Sequence, residues 1–178
     1  MKILKLFDGF NTGDYLAAPP DANDTVVGAA SAQTLTNKTL TSPVVNAPTG
    51  TKASETVIAT NVITAAESGK VFFLNAATEF ASTLPVPAAG LHYKFIVTAA
   101  PASADYTIGT NAAAQNLAGQ VHESSGGDGD SEAAATANSV NFVDGTAVIG
   151  DMVDVWSDGT SWFAQCFCDA AGGITITG

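Results

Sequence analysis

Arginine is absent from this chain, and all six lysines fall at or before Lys94. Residues 95–178 carry ten Asp and Glu without a base, net −10, whereas residues 1–94 set six Lys against seven acids, net −1. A surface of that sign repels phosphate, which argues against nucleic acid as a partner. Long apolar runs are lacking as well, so no segment is expected to span a bilayer and no membrane partner is expected. The opening MKILKLFDGF has a basic start but no apolar h-region, because Asp8 interrupts it, and it reads as mature sequence. Aromatics are only 8% of the chain, and much of the 46% hydrophobic content is Ala, enough for one modest β-type core. The two cysteines, Cys166 and Cys168 in QCFCD, would project from one face of a strand, too close in sequence for an ordinary disulfide. Reduced thiols made in a cytoplasm fit that spacing, and a zinc site without nearby partner ligands does not.

What is present divides the chain in two. Residues 1–64 hold turn formers, small residues and short β-prone pieces such as TVVGAA and TVIATNVIT, without a sustained helical period. Such a segment buries little by itself, and is expected to be an extended arm ordered by another surface or by copies of itself. Its centre, SAQTLTNKTLTSPVVNAPTG, carries a single charge, Lys38, and enough β-branched residues to favour extended strands over coil.

Residues 65–178 read as a compact antiparallel β domain. In HYKFIV, Tyr93, Phe95 and Val97 alternate with His92, Lys94 and Ile96, the period-two mark of a strand with one buried face. DMVDVWSDGTSWFAQCFC places two β-rich runs around Asp158-Gly159, a dipeptide suited to a type I′ hairpin, with Trp156 and Trp162 near each other across it. Short strands with turn signals every ten or so residues point to an all-β sandwich or barrel. A polar acidic loop over 118–139 interrupts them.

No catalytic set emerges. His92 and His122 have no nucleophile motif beside them; the first reads as a surface or rim residue, the second as a loop residue. The alternating Asp128, Asp130 and Glu132 of GGDGDSE lack the remaining ligands of an EF-hand, so segment 123–132 is expected to be a solvated acidic loop rather than a calcium site. The Gly-rich run there has no following Lys, which excludes a phosphate cradle. The expectation is a non-enzymatic protein without cofactor or metal.

The stretch SAQTLTNKTLTSPVV resembles one that recurs in fibre and other virion proteins of tailed bacteriophages, where it accompanies extended, often trimeric β structure. FFLNAATEFASTLPVPAAGLHYKFIV, VNFVDGTAVIGD and VDVWSDGTSWF are similar to small phage structural proteins of the head-decoration or fibre type. The resemblance implies a virion structural protein assembled in the host cytoplasm, most simply a homotrimeric capsid decoration protein (cement or head fibre). Its arm would grip the major capsid protein or another virion protein, with the acidic domain outward. The alternative is a tail-fibre or receptor-binding module. In either, Leu35, Leu40, Val44 and Val45 are the arm's expected partner-binding residues, held by strand addition and small apolar contacts.

Overall fold

Period-two alternation governs the elements. Tyr93, Phe95 and Val97 are fully buried while His92, Lys94 and Ile96 are only half covered, and Trp162, Ala164, Cys166 and Cys168 bury the same way along the strand after the predicted hairpin. The computed structural model describes residues 51–76, 78, 80–112, 116–125 and 133–178. Leu35, Leu40, Val44 and Val45, with the arm up to residue 50, lie outside the described residues, as do 126–132 of the acidic segment.

Twelve strands are described: β1 (Ser54–Val57), β2 (Asn61–Val62), β3 (Val71–Leu74), β4 (Phe80–Thr83), β5 (His92–Val97), β6 (Tyr106–Gly109), β7 (Leu117–Glu123), β8 (Ala133–Ala137), β9 (Ser139–Phe142), β10 (Met152–Ser157), β11 (Trp162–Cys168) and β12 (Ile174–Thr177). They form a seven-stranded sheet in the order β1-β3-β5-β10-β11-β7-β8 and a five-stranded sheet in the order β12-β9-β6-β4-β2. The sheets share one core. On the larger sheet Phe72 stacks on Phe95 with centroids 5.2 Å apart, and Tyr93 leans on Trp162 at 5.9 Å; on the smaller, Phe80 stacks on Tyr106 at 4.5 Å. Both buried tyrosines find acceptors: the Tyr93 hydroxyl donates to the Thr64 carbonyl and the Tyr106 hydroxyl to that of Ala99, each at 3.0 Å. A buried hydroxyl left without a partner would cost about 1–3 kcal/mol.

The all-β, two-sheet architecture is as expected, but the sheets are mixed rather than antiparallel. From β1 to β6 the chain passes from one sheet to the other at every strand, so β1, β3 and β5 lie side by side in parallel, and so do β2, β4 and β6. The opposite sheet's strand serves as the crossover that parallel pairing requires. Locally a turn between sheets and a hairpin use the same residues, which is why turn signals alone suggested antiparallel pairs.

Three boundaries also differ. Residues 54–57 and 61–62, assigned from sequence to the arm, are strands of the sheets, and Val57 and Ile63 beside them are buried. The described residues of the loop expected over 118–139 are largely strand: β7 pairs in parallel with β11 from Leu117↔Trp162 to Glu123↔Cys168, and β8 pairs with β7. Its partner is distant in sequence, so no local turn marks it. The hairpin at Asp158-Gly159 exists, but Ser157 pairs with Trp162, leaving a four-residue loop in place of a two-residue turn. Gly159 takes φ +106°, and the Asp158 carboxylate accepts from the backbone N–H of Thr160 and Ser161, both at 2.8 Å. The side chain thus takes the Ser161 N–H, while the Asp158 N–H donates back to the Ser161 carbonyl at 3.4 Å.

Candidate binding face

The outward face of the larger sheet is the best-formed functional candidate among the described residues. Register sets its layout, because residues opposite one another on neighbouring strands share a face. One row runs His92, Trp156, Phe163 and Ala118; a second Val71, Lys94, Asp154, Gln165 and Gln120; a third Phe73, Ile96, Met152, Phe167 and His122. Successive rows are two residues apart along each strand, roughly 6.7 Å. The face is thus an aromatic row and an apolar row with a polar row between them.

Trp156 is 41% exposed and Phe163 45%. The indole stacks on the His92 imidazole, centroids 5.0 Å apart and planes 11° from parallel, and Phe167 stacks on His122 at 5.2 Å. In the polar row Lys94 Nζ meets Asp154 Oδ2 at 2.6 Å, while His92 Nε2 lies 3.3 Å from Asp154 Oδ1. Lys94 also reaches Met152 Sδ at 3.8 Å. Asp154 is therefore held from two sides with its carboxylate mostly covered, and Gln165 and Gln120 stand exposed beyond it.

The two histidines share this face, yet His92 on β5 and His122 on β7 are three strands apart, about 14 Å in the hydrogen-bonding direction alone. They cannot act on one substrate atom together. His122 is a strand residue rather than the loop residue expected from sequence. Cys166 and Cys168 do share one face, the buried one, as thiols. Burial pushes the Cys166 thiol up to about 12, the neighbouring Cys168 adding to the effect.

A second polar cluster lies at one end of the sheets. The Asp169 carboxylate accepts from the hydroxyls of Ser124 (2.8 Å) and Ser125 (2.6 Å), which hold it below the usual carboxylate range. Buried Asp151 accepts from the backbone N–H of Asp169 (3.0 Å) and Val148 (2.9 Å), and Glu123 from that of Gly172 (2.6 Å). These carboxylates pin loops. No group of three or more His, Cys, Asp or Glu poised for a metal occurs among the described residues. Nor is any described helix long and apolar enough to cross a membrane.

The expectation that Trp156 and Trp162 lie near each other across the hairpin is not met, and the sequence reading did not single out Trp156 as exposed. The signal was available in parity: Trp156 falls in step with Met152 and Asp154, whereas Trp162 falls in step with Ala164 and Cys166. Pairing of Trp156 with Phe163 and of Ser157 with Trp162 puts the two indoles on opposite faces. No family model matches the chain, and neither a curated protein nor a solved structure matches it.

Proposed function

We propose that the chain is a non-enzymatic structural protein of a bacteriophage virion, a capsid decoration protein whose N-terminal arm binds the outer shell and whose β domain faces solvent. The observation that carries this reading is the order of parts. The connector-like stretch SAQTLTNKTLTSPVV precedes a two-sheet unit, Thr49–Gly178, that contains its own core. The charge distribution supports the same polarity, since ten acids and no base after residue 94 suit a surface that keeps particles apart. Homotrimeric assembly of the arm, and the major capsid protein as partner, belong to the same proposal.

A second reading is favoured by one observation. The exposed Trp156 and Phe163 beside a polar row suit a recognition surface better than a passive coat, as a tail-fibre or receptor-binding module would require. Labelling the protein on purified particles with a specific antibody separates the two. Many copies over the shell support decoration, a few at the tail support the adhesin, and none on the particle defeats both.

A further inference from the structure

We propose that the outer face of the larger sheet is a carbohydrate-binding site. A neutral oligosaccharide would lie over Trp156 and Phe163 with its hydroxyls on Gln165 and Gln120. The inference stands on the face itself and does not depend on a virion location.

Row chemistry selects this ligand class. A sugar ring presents apolar C–H faces and a rim of hydroxyls. It therefore needs an aromatic surface and, within one ring's reach, groups that both donate and accept hydrogen bonds. Trp156 and Phe163 sit directly opposite each other on β10 and β11, and Asp154 and Gln165 sit directly opposite each other two residues further along the same strands. Gln120 extends the polar row onto β7. The amides offer two donors and an acceptor each, while Asp154, its two oxygens held by Lys94 and His92, closes the end of the row. An aromatic surface with a few placed polar groups is the usual make-up of a small-ligand site.

The same rows disfavour the other occupants. A dry apolar patch on a protein partner would bury the Lys94–Asp154 pair and two amides without replacing their water, which is costly. A polyol replaces it. An anionic ligand would meet Lys94 already engaged by Asp154 at 2.6 Å, on a domain whose last 84 residues, 95–178, hold no Lys or Arg. A lipid surface would have to cover the polar row that parts the two apolar ones.

Trp156 and Asp154 are set before any ligand arrives. His92 backs the indole at 5.0 Å and contacts Asp154 at 3.3 Å, and Lys94 fixes the other carboxylate oxygen. Little rotamer freedom is then lost on binding.

The test is binding of the full chain to an array of neutral bacterial polysaccharides and oligosaccharides, with Trp156→Ala, Gln165→Ala and, as a control on the smaller sheet, Val62→Ser. All three substituted side chains are exposed or half-exposed, and melting curves check that each variant folds. The expected result is binding to at least one neutral glycan, insensitive to salt. It should weaken tenfold or more in both face variants and be unchanged in Val62→Ser. A blank array overturns the proposal, as does binding that survives both face variants or that is confined to anionic glycans and released by salt. Self-association of the wild-type chain that Trp156→Ala abolishes, without glycan binding, would make the face an interface between copies and overturn it too.

Discussion

The indole of Trp156 stacks on the imidazole of His92 across neighbouring strands, centroids 5.0 Å apart, while Trp162, six residues on, is wholly buried beneath the same sheet. The two tryptophans therefore report on different things. Trp162→Ala opens a cavity in the core and should cost about 3–5 kcal/mol. Trp156→Ala loses one partly exposed stack and should cost about 1 kcal/mol. Denaturant midpoints of the two variants check this, and equal losses would mean that Trp156 is part of the core.

Gly119 tests how the sheets meet. A Cβ there would lie 2.6 Å from the Ala164 carbonyl oxygen and 2.9 Å from Ile176 Cδ1 of the smaller sheet, whereas at Gly109 nothing lies within 4 Å. Gly119→Ala is expected to destabilise by about 1–3 kcal/mol through overpacking against backbone. Gly109→Ala should be near neutral. Thermal melts of the pair decide it, and similar midpoints would contradict the parallel register of β7 on β11.

The buried thiols should be inert. Burial shifts Cys166 up to about 12 and raises Cys168 as well, which disfavours the reactive thiolate in both, and both side chains are covered. An aromatic disulfide reagent is expected to leave both untouched in the native protein and to titrate both in denaturant. Rapid native reaction would mean that β11 opens readily.

Acid should weaken one corner of the fold in a defined window. Glu67 is held at about 2, below its ordinary 4.5, first by the hydrogen bond from Lys70 (2.6 Å) and then by the Thr64 backbone N–H (2.8 Å). Its folded value lies below the unfolded one, so the stabilisation is present above pH 4.5 and fades as pH falls toward 2. Glu67→Gln should cost about 1 kcal/mol at neutral pH, allowing for partial solvent screening, and progressively less below the ordinary carboxylate range. Stability measured from pH 7 to 3 checks this, and a difference that does not change with pH would contradict it.

Parity along single strands was legible: HYKFIV and SWFAQCFC announce their buried faces, and the positive φ of Gly159 follows from its place after Asp158. Partners distant in sequence were not. Nothing local in LAGQVHE reveals that it will pair with β11, because Leu117 and Val121 are its only bulky apolar residues and Gly119 contributes by absence. The passage of β1 to β6 between sheets is hidden for a related reason, since an arch and a hairpin are written with the same turn residues. The binding face was missed because it depends on register. Trp156 and Asp154 on β10 and Gln165 on β11 become one surface only when the register of the two strands is known.

The central claim is that the front arm attaches this β domain to a particle through strand addition and small apolar contacts, with Leu35, Leu40, Val44 and Val45 in the contact. Ionic contacts between exposed groups are screened within about 10 Å at ~0.1 M salt and about 3 Å at ~1 M, whereas apolar burial is not weakened by salt. The deciding measurement is release of the protein from purified particles across that salt range, beside rebinding of a chain lacking residues 1–50, which keeps all twelve described strands. The account predicts little release at any salt and no rebinding by the shortened chain. Rebinding by the shortened chain, or release that rises steeply with salt, would contradict it.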